Sequence, residues 1–469
     1  MIFKQYYLGC LAHASYLIGD EETQTAIVVD PQRDVQQYLD DAIKYDLKIR
    51  HVFLTHFHAD FVAGHLELRD QVGAEIHLGA KAEAEFKFTP EKDGNRLEIG
   101  SMRLEFLETP GHTPEGLSIL VFDLKENTEK PKMVLTGDTL FIGDVGRPDL
   151  MASEGVSEHE LAAMLYDSLR EKLMQLPEET LVYPAHGAGS LCGKKLSEET
   201  VSTLGQQLAW NYALQPMSRE EFIALVTENQ PQAPTYFSYD ARLNKKERQN
   251  LDQSLEASLT PLTLEEFLEK QRAGLQVLDT RPEGDYNAAH LKGAIQVGLG
   301  GKFATWAGIV LSHEIPIIII AEPGTEYESR MRLGRIGFDR VDGYLKEGME
   351  ALEHRPELLE STASWTAQEF LDNLEGGLAP LILDVQSPGE FQEHHIKDAV
   401  NIPLNDLKQR MKEIPQGKPI LVHCAGGYRS AIACSLLQKE GYANVINLIG
   451  GMGALGQLNS ATVFQKTNG

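Results

Sequence analysis

The run Thr55-His56-Phe57-His58-Ala59-Asp60-Phe61 sets two imidazoles and a carboxylate at alternate positions, directly after the apolar stretch Val52-Phe53-Leu54. Lone-pair donors of one parity, carried by a short strand into the loop beyond its end, can converge on a single cation. The same arrangement recurs twice. Thr109-Pro110-Gly111-His112-Thr113 follows Leu104-Glu105-Phe106-Leu107, and Thr136-Gly137-Asp138-Thr139 follows Met133-Val134-Leu135. A fourth strand-like run, Leu181 to Ala185, hands His186 to a glycine-rich loop containing Cys192, Lys194 and Lys195. A second chemistry is written near the other end, where His423-Cys424-Ala425-Gly426-Gly427-Tyr428-Arg429-Ser430 puts a thiol at a strand end before a small loop and a helix. The loop amides around Gly426 and Gly427, the helix N-terminus and Arg429 would together lower the thiol pKa and cradle an anion.

The elements that must position these groups belong to a long chain. At 469 residues and 42% hydrophobic composition, it can build two or three domains, each with its own core. Its formal net charge of -26 disfavours nucleic acid and anionic membrane surfaces as partners, so an anionic substrate must be drawn in by local positive groups. The opening Met-Ile-Phe-Lys-Gln-Tyr-Tyr lacks a basic segment leading into a long apolar one, and no later run reaches the length of a membrane span. A soluble, cytoplasmic protein is expected. Its four cysteines, Cys10, Cys192, Cys424 and Cys434, are too sparse for a disulfide framework, and a reducing compartment leaves a thiol free to react. Cys10 and Cys434 are read as structural.

Through about residue 230, strand-like runs (Ala26 to Val29, Ile76 to Leu78, Ser118 to Val121) alternate with helical ones (Val35 to Tyr45, Glu158 to Leu176). A polar connection marked by Pro231 and Pro234 follows, and the remainder contains an internal repeat. Val277-Leu278-Asp279 matches Ile382-Leu383-Asp384; His290 to Ile295 matches His395 to Val400; Pro316 to Ile320 matches Pro419 to His423; Gly337 to Val341 matches Gly441 to Val445. The near-constant offset argues for two copies of an α/β domain of about 100 residues. Both copies resemble rhodanese domains, a sulfurtransferase family, and the length of the loop from Cys424 to Arg429 resembles that family's loop. Aligned on the repeat, Ala321 stands where Cys424 stands, and Glu322 to Glu326 replace the electropositive loop, so the first copy is read as a structural or docking domain. The expected domains are 1–255, 256–356 and 357–469.

The ordered HxHxD, GHT and GDT motifs resemble the metallo-β-lactamase superfamily. The fold class implied is α/β: an N-terminal αββα metallo-β-lactamase-type sandwich followed by two α/β rhodanese domains. In two-metal hydrolases of that superfamily a histidine follows the HxHxD run, whereas here the position is Phe61, which has no lone pair to give. His56, His112 and Asp138 then remain as the ligand set, two imidazoles and one carboxylate with open positions, which suits non-haem Fe(II) rather than a nearly filled zinc shell. The resemblance is to the persulfide dioxygenase branch, in fusions with tandem rhodanese domains that serve sulfide detoxification. It implies one Fe(II) per chain on His56, His112 and Asp138, with His58, Asp60 and His186 orienting the ligands. Arg147, in the GRxD element with Asp149, is expected to orient substrate or to form a local ion pair, and Cys192 to approach the pocket with Lys194 and Lys195 ready for an anionic thiol carrier. The implied substrates are a small-molecule thiol persulfide (glutathione, coenzyme A or similar) and O2, giving sulfite, with Cys424 passing sulfur to sulfite as thiosulfate. A homo-oligomer, a tetramer by the resemblance, is expected. Two other readings are a glyoxalase II-like thioester hydrolase with an accessory sulfurtransferase, and a sulfur carrier with a relic metal motif.

Overall fold

The structure, a computed structural model, describes residues 1–150, 155–228, 230, 232–458 and 464–465. Pro231 of the expected connection lies outside the described residues. The chain divides into two compact units, Met1–Ser254 with Gly334–Gly337, and Leu255–Leu333 with Phe338–Gly469. Among the described residues no helix is long and apolar enough to cross a membrane.

The first unit contains two six-stranded sheets. One runs Ile2–Leu8, His13–Asp20, Thr25–Val29, Lys48–Phe53, Glu75–Gly79, Thr89–Glu91, beginning as antiparallel hairpins and continuing parallel from the third strand. The other has the order Ser202–Thr203, Leu181–Pro184, Met133–Gly137, Leu117–Asp123, Met102–Glu108, Arg96–Ile99. Alternation of side chains assigns each face of this second sheet its own core. Leu104, Phe106, Ile119, Val121 and Leu135 pack inward with Tyr16, Ile18, Ile27, Val29 and Phe53 of the first sheet. Leu120, Phe122 and Val134 pack the other way, with Ala162, Leu165 and Leu169 of the helical layer. The strand Leu117–Asp123 is therefore buried along its whole length, which gives the continuous apolar run seen in its sequence.

The helix expected over residues 158–176 is divided. Ser157 caps it, accepting from Glu160 N while Glu160 reaches back to the Ser157 backbone. The α-helix ends at Asp167, and the ladder widens to a π turn over Ser168–Lys172, where the Ser168 hydroxyl donates to Pro110 O at 2.7 Å.

The second unit carries the repeat as two five-stranded parallel sheets of identical order. Pro261–Leu262, Val341–Leu345, Ile317–Ile320, Gln276–Asp279, Ile295–Gln296 corresponds strand for strand to Ala363–Trp365, Val445–Leu448, Ile420–His423, Leu381–Asp384, Val400–Asn401. The correspondence extends to turns: Gly348 sits against Ala321 O and Gly451 against Cys424 O, each too close for a Cβ. The two copies also touch, with Tyr428 Oη donating to Gly298 O at 2.6 Å and Gln296 N donating to Ser435 Oγ at 3.0 Å.

Truncating the fully buried Phe106 should cost the first unit about 3–5 kcal/mol, the range for deleting a core phenylalanine. The check is the urea unfolding midpoint of Phe106→Ala, and a midpoint equal to the parent's would contradict the packing described.

Candidate metal centre and thiol loop

Three strand ends of the first unit build the metal centre. Thr55, just past Lys48–Phe53, is fixed by Asp30, whose two carboxylate oxygens accept from Thr55 N and Thr55 Oγ1, both at 2.8 Å. Leu117 N donates to Thr55 O at 2.8 Å and so ties the second sheet to the same turn. His56 Nδ1 lies 3.0 Å from Thr55 Oγ1, and His112 Nδ1 donates to the Arg147 carbonyl at 2.8 Å. Each anchored Nδ1 leaves Nε2 facing the pocket. Asp138 follows the strand Met133–Gly137, and its Oδ2 lies 3.7 Å from His56 Nε2 and 3.4 Å from His112 Nε2. Gly137 is required at φ 52°, where a Cβ would meet the Thr55 side chain at 2.5 Å.

The other oxygen of Asp138 faces a second trio. His186 Nε2 stands 3.6 Å from Asp138 Oδ1 and 3.6 Å from Asp60 Oδ2, and donor atoms of His58, Asp60 and His186, like those of His56, His112 and Asp138, lie within 4.8 Å of one another. His58 is drawn to a different carboxylate, its Nε2 lying 3.0 Å from Asp30 Oδ1. Burial opposes charging of His58, yet the Asp30 carboxylate outweighs it and raises the imidazole above its usual range. His56 goes the other way: burial, with His58 and His112 beside it, holds it well below, so its lone pair is available. The Phe61 ring fills the space between His58, 4.4 Å away by centroids, and His13, 4.0 Å away.

Both oxygens of Asp138, His56 Nε2, His186 Nε2 and Asp60 Oδ1 are buried without a hydrogen-bond partner. Carboxylate and imidazole donors left unsatisfied at one point fit a cation, and two histidines with one carboxylate fit a transition metal. Cys192 is buried here, its Sγ within 4.8 Å of donor atoms of Asp138 and His186. Burial, then the Asp60 and Asp138 carboxylates, push this thiol well above its ordinary range. Arg147 forms the local ion pair that was one of its two expected roles, and Lys194 does not face the pocket. Arg147 is buried, its guanidinium forks onto both Asp149 oxygens at 2.7 Å, and its Nη1 donates to Leu191 O. Its backbone carbonyl is the one His112 Nδ1 meets. Lys194 turns outward, its ammonium on the Leu225 and Glu228 carbonyls, while Asp144 gathers the backbone N–H groups of Lys194 and Lys195.

In the second unit, Cys424 follows the strand Ile420–His423 and is buried, with Gly427 N donating to its Sγ at 3.1 Å. The helix Tyr428–Lys439 begins directly after Gly427, whose φ of 101° turns the chain straight into it. Arg429 is held by Glu390 in a two-point fork at 2.7 and 2.8 Å, so its charge reaches the loop already partly balanced. Glu390 also receives Ser387 N at the helix cap it closes. Asp384, at the end of the neighbouring strand, accepts from Gln386 N at 2.8 Å and lies 3.5 Å from His423 Nε2. Cys434 is buried in the helix, as expected of a structural cysteine. His13, Asp30 and Glu390 were not singled out in the sequence. Asp30 ends a buried strand, as Asp384 does, and Ser387-Pro388-Gly389-Glu390 is a capping pattern; His13 carries no motif at all.

Comparison with known proteins agrees with this division. Residues 8–186 match the metallo-β-lactamase superfamily, and residues 261–354 and 366–457 each match the rhodanese-like domain. A mitochondrial persulfide dioxygenase ETHE1 from Bos taurus is 32% identical over 214 residues, 45% of this chain and 75% of that protein. A hydroxyacylglutathione hydrolase from Dictyostelium discoideum is 35% identical over 175 residues, 37% of this chain and 61% of that protein. Among solved structures, a metallo-β-lactamase from Staphylococcus aureus subsp. aureus COL superposes with a TM-score of 0.66 at 29% identity, covering 74% of this chain and 98% of that one. The chain belongs to the metallo-β-lactamase superfamily, as a homologue of the ETHE1 persulfide dioxygenases that continues into two rhodanese-like domains.

Burial pushes the Asp384 carboxyl up to about 7. Its contribution to stability is therefore complete below the unfolded-state value near 4 and is lost as pH rises through about 7. Between pH 5 and pH 8 the second unit of the parent should lose more stability than that of Asp384→Asn. Chemical denaturation at the two pH values measures the difference, and identical pH dependences would contradict it.

Proposed function

We propose that this chain is a sulfide-detoxification enzyme. Its first unit oxidises a low-molecular-weight thiol persulfide with O2 to sulfite and free thiol, and Cys424 transfers sulfur from persulfide to sulfite, giving thiosulfate. The reading is carried by the buried trio His56, His112 and Asp138 in a chain homologous to persulfide dioxygenases. Fe(II) on these residues would supply redox chemistry between sulfur and O2 at open coordination positions. Anchored by Thr55 and by the Arg147 carbonyl, the two imidazoles are held with Nε2 directed at the pocket. Phe61 keeps water from the space beside His58. Over the whole reaction RSSH, O2 and water give RSH and sulfurous acid, the outer sulfur losing the electrons that oxygen gains.

The second step uses the thiol loop. The Cys424 thiolate attacks the outer sulfur of RSSH, the S–S bond to the carrier breaks, and RS⁻ leaves. Sulfite then attacks that outer sulfur, forming thiosulfate and returning the thiolate. Amides at Gly426 and Gly427 are suited to hold the anion, and Arg429, fixed by Glu390, adds oriented positive charge.

A second reading, thioester hydrolysis, is favoured by the convergence of His58, Asp60 and His186 beside Asp138 and by the likeness to a hydroxyacylglutathione hydrolase. An oxygen electrode with glutathione persulfide separates the two: consumption of O2 with sulfite release supports oxidation, and zinc-dependent thioester cleavage without O2 consumption supports hydrolysis. Asp138→Ala is expected to reduce O2 uptake by more than about 100-fold, since even outer partners of metal ligands are worth about 10–100-fold, while Cys424 still accepts sulfur. Cys424→Ser is expected to accumulate sulfite from persulfide and O2. Thiosulfate formed at the parent rate would remove Cys424 from the scheme.

A further inference from the structure

A second cluster of donors lies within the first sheet of the first unit, among residues to which no part of the proposed reaction is assigned. Three parallel neighbours, Lys48–Phe53, Glu75–Gly79 and Thr89–Glu91, pair His51 with Glu75, Phe53 with His77, His77 with Thr89 and Gly79 with Glu91. With a side-chain period of two, His51, Glu75, His77, Thr89 and Glu91 share one face. His51 Nδ1 lies 2.9 Å from His77 Nε2, and Glu75 Oε2 lies 3.8 Å from the first and 4.0 Å from the second. These three atoms form a triangle whose centre is about 2.1 Å from every corner, the length of a bond from Zn²⁺ to nitrogen or oxygen. We propose that His51, His77 and Glu75 form a further metal site for a divalent transition cation of the Zn²⁺ type, separate from the His56, His112 and Asp138 centre.

The residues around the triangle support it. His77 Nδ1 donates to Glu91 Oε1 at 2.8 Å, and Asn95 Nδ2 donates to Glu91 Oε2 at 3.1 Å, so a pinned carboxylate turns the Nε2 lone pair of His77 inward. The free oxygen of Glu75 is fixed likewise, since Thr89 Oγ1 donates to Oε1 and leaves Oε2 for the ion. The Phe53 ring stacks on His77 with centroids 4.3 Å apart and closes the inner side. Outward the seat is open: the Glu75 side chain is 54% exposed, that of His51 18% and that of His77 4%. An ion thus has an entry path, and three protein donors leave a coordination position for water. Two imidazoles with one carboxylate select a transition metal over Ca²⁺ or Mg²⁺, which prefer all-oxygen shells.

The test uses the full-length, iron-loaded protein and zinc alone as the probe. After equilibration with Zn²⁺ and dialysis, metals are counted, and a crystal is measured on both sides of the zinc absorption edge. The expected result is an anomalous peak among His51, Glu75 and His77 and one zinc equivalent per chain that is missing in His51→Ala and Glu75→Gln, with iron content and O2 uptake unchanged in both. Glu91→Gln is expected to keep the site but weaken it about 10–100-fold. Zinc uptake that is the same in parent, His51→Ala and Glu75→Gln, or a peak only at Asp138, would overturn the proposal and leave His51, His77 and Glu91 as a hydrogen-bonded chain.

Discussion

Asp138 is the constraint on which the first unit turns. Its side chain has no exposure, neither oxygen receives a hydrogen bond among the described residues, and imidazoles face it on both sides at 3.4 to 3.7 Å. An ionised carboxylate removed from water with no donor costs several kcal/mol, more than a marginally stable domain can leave uncompensated. A cation is the group that satisfies the carboxylate and the bare imidazole nitrogens together. The sheets are arranged to hold this point rigid, since Asp30 fixes the turn before His56, Leu117 bonds back to Thr55, and Gly137 has no side chain so that Thr55 can approach.

The asymmetry between the two trios around Asp138 bears on how many ions are held. His56 and His112 are oriented by a hydroxyl and a carbonyl. His58 instead has its Nε2 3.0 Å from a carboxylate oxygen of Asp30, which raises the imidazole above its usual range. Phe61 packs beside it where another donor would be needed. The two trios thus differ in their surroundings, although each brings three donor atoms together.

Much of this organisation is legible in the sequence because it is local. Strand-end motifs deliver their donors wherever the strands go, so HxHxD, GHT and GDT announce His56, His112 and Asp138 before the sheets are known. The repeat shows in the matched strands because each copy must bury the same parallel sheet, and Ala321 in place of Cys424 marks the copy without a nucleophile. What stays hidden depends on distant pairings. Whether Arg147 meets substrate or Asp149, and whether Lys194 faces the pocket or two helix carbonyls, is decided by loop paths that no spacing encodes. His13 reaches the centre only because its strand lies beside the end of Leu181–Pro184, from which Ala185 bonds back to Ala14. The break at Ser168 follows from a hydroxyl bond to Pro110, a contact between segments far apart in the chain.

The most direct test of the central claim is anomalous diffraction at the iron edge from the protein purified with its native metal. One peak is expected, bounded by His56, His112 and Asp138. Two peaks bridged by Asp138, or a peak on His58, Asp60 and His186 alone, would contradict it.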